Sequence, residues 1–147
     1  MIIKTLINEK YTTPEIHILN ASRDENIEAL ARRIREVVND DISVLAPGGD
    51  KCMISGFDIV RFYAEGSKIM VDANGQKYSI PQKLYELEEN LDSKLFFRIS
   101  KSEIINLKKI QRLDMNIAGT IKIIMKDNSE SYTSRRNVAK LKQVLNL

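Results

Sequence analysis

The chain has 147 residues, of which 43% are apolar and 29% charged, the mix of a soluble globular protein of about one domain. A single cysteine, Cys52, and a single histidine, His17, exclude an internal disulfide and a Cys/His zinc site within one chain, and they fit a reducing cytosol. The net charge of +3 hides a split: residues 94–147 carry 12 Lys and Arg against 4 Asp and Glu, whereas residues 1–93 carry 11 against 16. Such asymmetry points to a polyanion partner for the C-terminal part, against the plainer reading of a solvated basic surface that binds nothing.

Residues 2–7 (Ile-Ile-Lys-Thr-Leu-Ile) and 15–19 (Glu-Ile-His-Ile-Leu) read as two short strands, with Thr12, Thr13 and Pro14 turning between them. Ile16 and Ile18 share one face, so His17 points the other way, as a surface residue rather than a catalyst. Ser22 and Glu25 form an S-x-x-E capping box for an amphipathic helix over 23–38. Its inner stripe is Ile27, Leu30, Ala31, Ile34, Val37 and Val38. Arg32, Arg33 and Arg35 lie outside, balanced by Glu25, Glu28 and Glu36, a solvated face rather than a phosphate grip. Asn39-Asp40-Asp41 stops the helix, and Pro47-Gly48-Gly49-Asp50 is the strongest breaker cluster, so a module boundary is expected between 39 and 50. This gives a strand-strand-helix appendage over 1–45, too short for a core of its own, and a second module over 50–147.

After the boundary the texture is β-rich. Strands are expected over 57–63, 67–72 and 76–80, the last two joined by Asn74-Gly75, a strong hairpin signal. Pro81 opens a short helix with Leu84, Leu87 and Leu91 inside and Glu86, Glu88 and Glu89 outside. Extended structure resumes at 96–99. Residues 104–113 read as a helical turn and then a strand. Turns at Ala118-Gly119 and Asp127-Asn128 flank a strand over 120–125, and Ser134 caps a terminal helix with Val138, Leu141, Val144 and Leu145 inside.

Enzymatic motifs are missing. Gly48-Gly49 lacks the third glycine and following helix of a nucleotide-binding loop, and the acid pairs Glu88-Glu89 and Asp40-Asp41 do not converge on one substrate. Cys52 has no base neighbour and reads as a half-buried strand residue. No catalytic residue, metal ligand, cofactor or small-molecule substrate is expected. No apolar run nears the roughly 18 residues of a membrane span, and the first residues carry no signal-peptide pattern. Polar and basic residues instead gather at three bends: Glu65-Gly66-Ser67-Lys68, Arg98-Ile99-Ser100-Lys101-Ser102 and Ser134-Arg135-Arg136-Asn137. Loops on a rigid β-scaffold are where binding residues sit. Arg and Lys can read guanine in a major groove, and Ser hydroxyls suit phosphate oxygens. Arg135 and Arg136 at a helix start oppose the helix dipole, a small cost that a bound anion would relieve.

Four motifs in order, Phe57-x3-Arg61-Phe62-Tyr63-Ala64-Glu65, Leu84-x2-Leu87, Phe97-Arg98-x3-Ser102-x-Ile104-Ile105-Asn106 and Ser134-Arg135-x-Asn137, resemble the LytTR DNA-binding domain of bacterial transcriptional regulators. The resemblance covers residues 55–145. It implies a mainly β fold of small packed antiparallel sheets with few helices, whose loops rather than a recognition helix enter successive major grooves. By position it implies DNA contacts from Ser67 or Lys68, from Lys101 and from Arg136. Lys101 stands where several relatives have Asn or His, and Ser67 near a position that is often His or Asn. Phe97 and Asn106 read as structural, with Asn106 tying down its loop.

The resulting expectation is a cytoplasmic, sequence-specific binder of double-stranded DNA that regulates transcription, contacting DNA through Ser67, Lys68, Arg98, Ser100, Lys101, Ser102, Lys108, Lys109, Arg135 and Arg136. A homodimer on repeated half-sites is expected, with the appendage as the dimerisation element. The stretch before the boundary is too short for the phosphorylation receiver that many family members carry. Family habit alone suggests a small membrane protein as a restraining partner. The alternatives are a protein-interaction module whose basic face binds an acidic partner, and a single-strand or RNA binder stacking bases on Tyr63, Tyr78, Phe96 or Phe97.

Overall fold

The computed structural model describes residues 2–10, 15–38 and 40–147. The chain divides into two compact units between Glu36 and Val37. Helix α1 (Glu25–Val38) begins in the first. Its cap is Asp24 rather than Ser22: Asp24 Oδ1 accepts the amide of Ile27 at 3.0 Å. A cap must sit next to the first helical residue to reach its free amides, and Ser22 stands too far out. Ile27, Leu30, Ala31 and Ile34 are half-buried, and Arg32 and Arg33 are exposed. The side chains at 35–39 and the expected turn at 11–14 lie outside the described residues.

The two strands expected at 2–7 and 15–19 do not form. Ile2, Ile3, Leu6 and Ile7 are 83–93% exposed and take part in no sheet. Alternating apolar residues make a strand only when a ladder partner and a face to bury are present, and a lone hairpin is marginal in water. His17 is exposed, though not through the expected strand faces, since Ile16 beside it is exposed as well; it bonds Glu15 at 2.8 Å.

The second unit is mainly β. Strands β1 (Asp41–Leu45) and β2 (Lys51–Ser55) form a hairpin in full register from Asp41↔Ser55 to Leu45↔Lys51. This corrects the expected boundary: Pro47-Gly48-Gly49-Asp50 is a hairpin turn, and Asp41–Leu45 belongs to the sheet rather than to an appendage over 1–45. Ala46 donates to Asp50 O and Gly49 donates to Ala46 O, each at 2.8 Å, with Gly49 at φ +92°. Turns and linkers need the same permissive residues, so composition alone does not separate them.

Strands β3 (Ile59–Glu65), β4 (Lys68–Ala73) and β5 (Gln76–Ile80) follow, then helix α2 (Leu84–Asn90), β6 (Phe96–Ser100) and β7 (Glu103–Asn106). The seven strands make one antiparallel sheet in the order β2-β1-β5-β4-β3-β7-β6. Asn74 and Gly75 both have positive φ, the backbone that a two-residue hairpin loop requires. Helix α2 starts three residues after Pro81, and Glu86 Oε2 accepts the Lys83 amide at 2.8 Å. Strands β8 (Ile110–Asp114), β9 (Lys122–Met125) and β10 (Glu130–Tyr132) form a second antiparallel sheet, and helix α3 (Val138–Val144) ends the fold. A 3-10 turn over Arg135–Asn137 precedes α3; Ser134 makes no side-chain cap bond, and its buried Oγ meets no partner among the described residues.

Strands β3, β6 and β7 serve two cores at once. Ile59, Phe62, Phe96 and Ile104 pack with Leu84 and Leu87 of α2, and the rings of Phe62 and Phe96 meet edge-on at 5.5 Å. Val60, Ile99 and Ile105 pack on the other face with Ile121, Ile123, Met125 and Leu141, and Phe97 lies against them. A strand covered on both faces shows no clean apolar-polar alternation. That is why β3 shows no clean alternation, while Phe57 and Asp58, expected in this strand, lie in the 3-10 turn before it. A bulge between Ile59 and Arg61 places Val60 and Arg61 together on the side of the second sheet. Asn106 is fully buried and ties down its surroundings: Nδ2 donates to Ile59 O at 2.8 Å, and Oδ1 accepts from Lys108 N at 2.9 Å.

Arg61 joins the sheets. Its Nε donates to Asp72 Oδ2 at 2.8 Å, and its Nη1 to Glu103 Oε1 at 3.0 Å and to Ser131 Oγ at 3.4 Å. Ser131 Oγ in turn donates to Glu103 Oε1 at 2.5 Å. Burial works to lower the pKa of Arg61, but the hydrogen bonds to Asp72 and Glu103 outweigh it and raise it. Arg61→Met should cost about 3 kcal/mol, the low end for a broken buried pair, because 16% of the side chain still meets solvent. Urea unfolding measures this as a lowered midpoint. A second effect concerns Asp40, whose pKa is raised by burial and by its neighbours Asp92 and Asp41. A raised folded-state pKa favours the protonated form, so charged Asp40 opposes folding above that pKa. Asp40→Asn should therefore raise the urea midpoint at pH 7, and the gain should vanish as pH falls below the ordinary carboxylate range.

Candidate nucleic-acid interface

The three basic bends are drawn together by backbone hydrogen bonds. The β3–β4 turn carries Ser67 and Lys68, both exposed, with Gly66 at φ +60°. Ala64, at the end of β3, donates to Ser102 O at 2.9 Å, which sets this turn beside the β6–β7 turn of Lys101 and Ser102. The third bend is fixed by a bulge. Ser100 pairs with Glu103 while Arg98 pairs with Ile104, leaving Ile99 as the extra residue of β6. The Ile99 carbonyl then accepts the Ser134 amide at 2.8 Å, holding the start of the last segment against the edge of the large sheet.

A cleft of about 370 Å³ opens where the second and third bends meet. Glu88, Arg98, Ser100, Lys101, Arg136, Asn137 and Lys140 line it. Lys101, Arg136 and Lys140 are exposed, and they form no side-chain hydrogen bond or ion pair among the described residues. Arg98 differs: its guanidinium bonds Glu88 Oε2 at 2.8 Å, Ser100 O at 3.0 Å and Lys101 O at 2.8 Å. The cleft thus holds three free cations and one internal pair, which suits a polyanion better than a neutral ligand.

The remaining expected contacts fall elsewhere. Ser67 and Lys68 sit on the neighbouring turn and do not line the cleft. Ser102 is exposed on the β6–β7 turn, and its amide bonds Ser100 Oγ at 3.2 Å. Arg135 lies over Gly119 of the β8–β9 connection, where an added Cβ would come within 3.3 Å of Arg135 Nε. Lys108 and Lys109 occupy the 3-10 turn after β7, at the opposite end of that strand from Lys101. Sequence reading missed Lys140 and Glu88. Lys140 stands four residues after Arg136 near the start of the terminal helix, a spacing that puts two side chains on one helical face and was available as a signal. Glu88 had none, because only the tertiary fold carries α2 to the edge of β6.

Comparison with known proteins agrees with this architecture. The family model of the LytTr DNA-binding domain matches residues 49–146. An uncharacterized HTH-type transcriptional regulator of Staphylococcus aureus (strain NCTC 8325 / PS 47) is 27% identical over all of this chain and 99% of its own length. One of the same description from strain N315 is 26% identical over the same spans. The fold matches the LytTr DNA-binding domain of a protein described as a methyl-accepting/DNA response regulator from Bacillus cereus, with a TM-score of 0.70 and 17% identity, covering 74% of this chain and 99% of that one. The chain belongs to the LytTR DNA-binding family, a class of DNA-binding regulators and not of enzymes. Its helices α2 and α3 are separated by five strands, so those two do not form a helix-turn-helix. Among the described residues no helix is long and apolar enough to cross a membrane.

Proposed function

We propose that the chain is a sequence-specific regulator of transcription that binds double-stranded DNA through turns at the ends of its strands. The observation that supports this reading most is the cleft between the β6–β7 turn and the start of the terminal helix, where Lys101, Arg136 and Lys140 converge unpaired. In this reading Arg136 reaches base edges in a major groove, and Lys140 and Lys101 hold phosphates beside it. Ser67 and Lys68 meet the duplex from the adjoining turn, and Ser100 and Ser102 offer hydroxyls to phosphate oxygens. Arg135, folded over Gly119, supports the segment that carries Arg136. An RNA or single-strand role is less favoured, because Phe96 is buried in one core and Phe97 is partly buried against the other, so neither stands out as a stacking platform.

Selection from random duplexes supplies a cognate site. On that site Arg136→Ala should cost about 1–3 kcal/mol and flatten base preference, whereas Lys140→Ala should weaken cognate and random duplexes alike and lower the salt slope by about one unit. Lys108→Ala, on the far end of β7, should leave the slope where it is. Equal weakening of both duplexes by Arg136→Ala would make that residue a phosphate anchor and defeat the base-reading assignment.

The regulator acts as a homodimer on repeated half-sites in the cytoplasm, with the N-terminal segment as the dimer contact. Ile2, Ile3, Leu6, Ile7 and Leu19 are more than four-fifths exposed, an apolar load that soluble monomers seldom carry. Sedimentation at micromolar concentration should give a dimer, and removing residues 1–20 should give a monomer. A full-length chain that sediments strictly as a monomer counts against this contact.

A further inference from the structure

We propose that Arg98 is a positioning residue rather than a DNA contact: paired with Glu88, it holds the β6–β7 turn in the shape that presents Lys101 to the duplex. The proposal rests on the duplex-binding reading above and assigns Arg98 and Glu88 a role within that site.

The argument begins with where Arg98 points. It pairs across the ladder with Ile104, whose side chain lies on the α2 side of the large sheet. Neighbouring strand partners share a face, so Arg98 also projects toward α2, where Glu88 waits. Its side chain retains only 23% of its exposure. The fork is then held from three directions. Nη1 donates to the carboxylate of Glu88, Nε to the carbonyl of Ser100 and Nη2 to the carbonyl of Lys101. Each of the three guanidinium nitrogens therefore already has an acceptor within 3.0 Å. These bonds take three of its five N–H donors and fix the plane of the fork; a phosphate would meet one remaining N–H on each Nη, on a guanidinium whose charge Glu88 already balances.

The two carbonyl bonds fall on consecutive parts of one turn, and they are what a lysine could not reproduce. A guanidinium offers donors in a fixed planar fork, whereas an ammonium is a point charge on a flexible stem. Other bonds close the turn from outside: Ser102 N to Ser100 Oγ at 3.2 Å and Ala64 N to Ser102 O at 2.9 Å. Lys101 is thus fixed at its backbone and free at its ammonium. Prior ordering removes part of the cost that a loop pays on binding, and it matters most where geometry matters, in the specific complex. Non-specific binding follows net phosphate neutralisation and tolerates a loose turn. Because Glu88 matches its charge, Arg98 should add little to that neutralisation.

The test is the doubly neutral variant Arg98→Gln/Glu88→Gln, which keeps the net charge of the cleft. The expected result is a preference for selected over random duplex reduced about tenfold with an unchanged salt slope, together with lower NMR order parameters at the Lys101 and Ser102 amides of the free protein. Lys101 and Ser102 amides as rigid as before, or a slope lower by about 0.9 with both duplexes weakened alike, overturns the proposal and makes Arg98 a phosphate contact. Glu88→Gln alone, at a side chain that is 53% exposed, covers the case in which the double variant fails to fold. It should raise random-duplex affinity and the slope while the preference falls; a preference that stays put overturns the proposal. If the wild type shows no preference for any duplex, the regulator reading fails, and the order parameters still decide what Arg98 does.

Discussion

The arrangement of this molecule turns on the guanidinium of Arg61. It stands on the bulged strand β3 and binds side chains on β4 and β7 of the large sheet and groups on β10 of the small one. Lys77 of β5 completes the set, donating to Asp72 Oδ1 at 3.0 Å and to Tyr63 Oη at 2.7 Å. Two cations meet two carboxylates, so charge is balanced as water is removed. The Arg61 guanidinium also lies 4.5 Å from the centre of the Tyr63 ring, whose negative face adds attraction. Such networks give modest net stability, because desolvation opposes the attraction. Their value here is placement. The apolar core between the sheets is non-directional and tolerates sliding, whereas the planar fork of Arg61 admits one register of β10 against β3.

That register decides where the chain goes next. Only Thr133 separates β10 from Ser134, whose amide must meet the Ile99 carbonyl. Thr133 itself is pinned, with its hydroxyl accepting the Ile121 amide at 3.0 Å and its carbonyl accepting the Thr120 hydroxyl at 2.5 Å. From this anchored point the chain enters the 3-10 turn that bears Arg136. The side chain proposed to read bases therefore hangs from two sheets whose mutual position Arg61 fixes. Leu141, buried completely in the second core, holds the other end of the segment.

Much of this was legible in the residues, and the failures share one cause. Asn74-Gly75 announced its hairpin because a two-residue loop with two positive φ angles admits few residue types. The stripe of Ile27, Leu30, Ala31 and Ile34 announced α1 for a similar local reason. What failed depended on partners. Ile2 to Ile7 has the composition of a strand and no ladder to join, while Asp41–Leu45 had the same modest look and found β2 and β5. The Pro47-Gly48-Gly49-Asp50 cluster bends the chain whether or not strands flank it. At the site, the bends with Lys101 and Arg136 were visible as basic loops, and the cleft brings those two together. Arg98 looked like one more cation, because a sequence shows its charge but not the carboxylate from α2 that matches it.

The pairing of Arg98 with Glu88 bears on how a small basic surface can discriminate at all. A cleft lined by four free cations would bind any polyanion tightly, and non-specific affinity grows with every phosphate neutralised. Cancelling one of the four lowers that background while the cancelled residue goes on shaping the turn. Specificity is the difference between two affinities, so it gains from a weaker competitor as much as from a better contact. Turns suit this economy better than a helix would. A recognition helix presents a rigid face that its own backbone bonds maintain, whereas a turn must be braced from outside, and each brace is a position where charge and geometry can be set separately. In this chain the braces are Arg98 behind Lys101, and Thr133 with Ser134 behind Arg136. The side chains proposed to read DNA are left with little to do but extend into solvent, and the precision that role needs would come from the bonds beneath them.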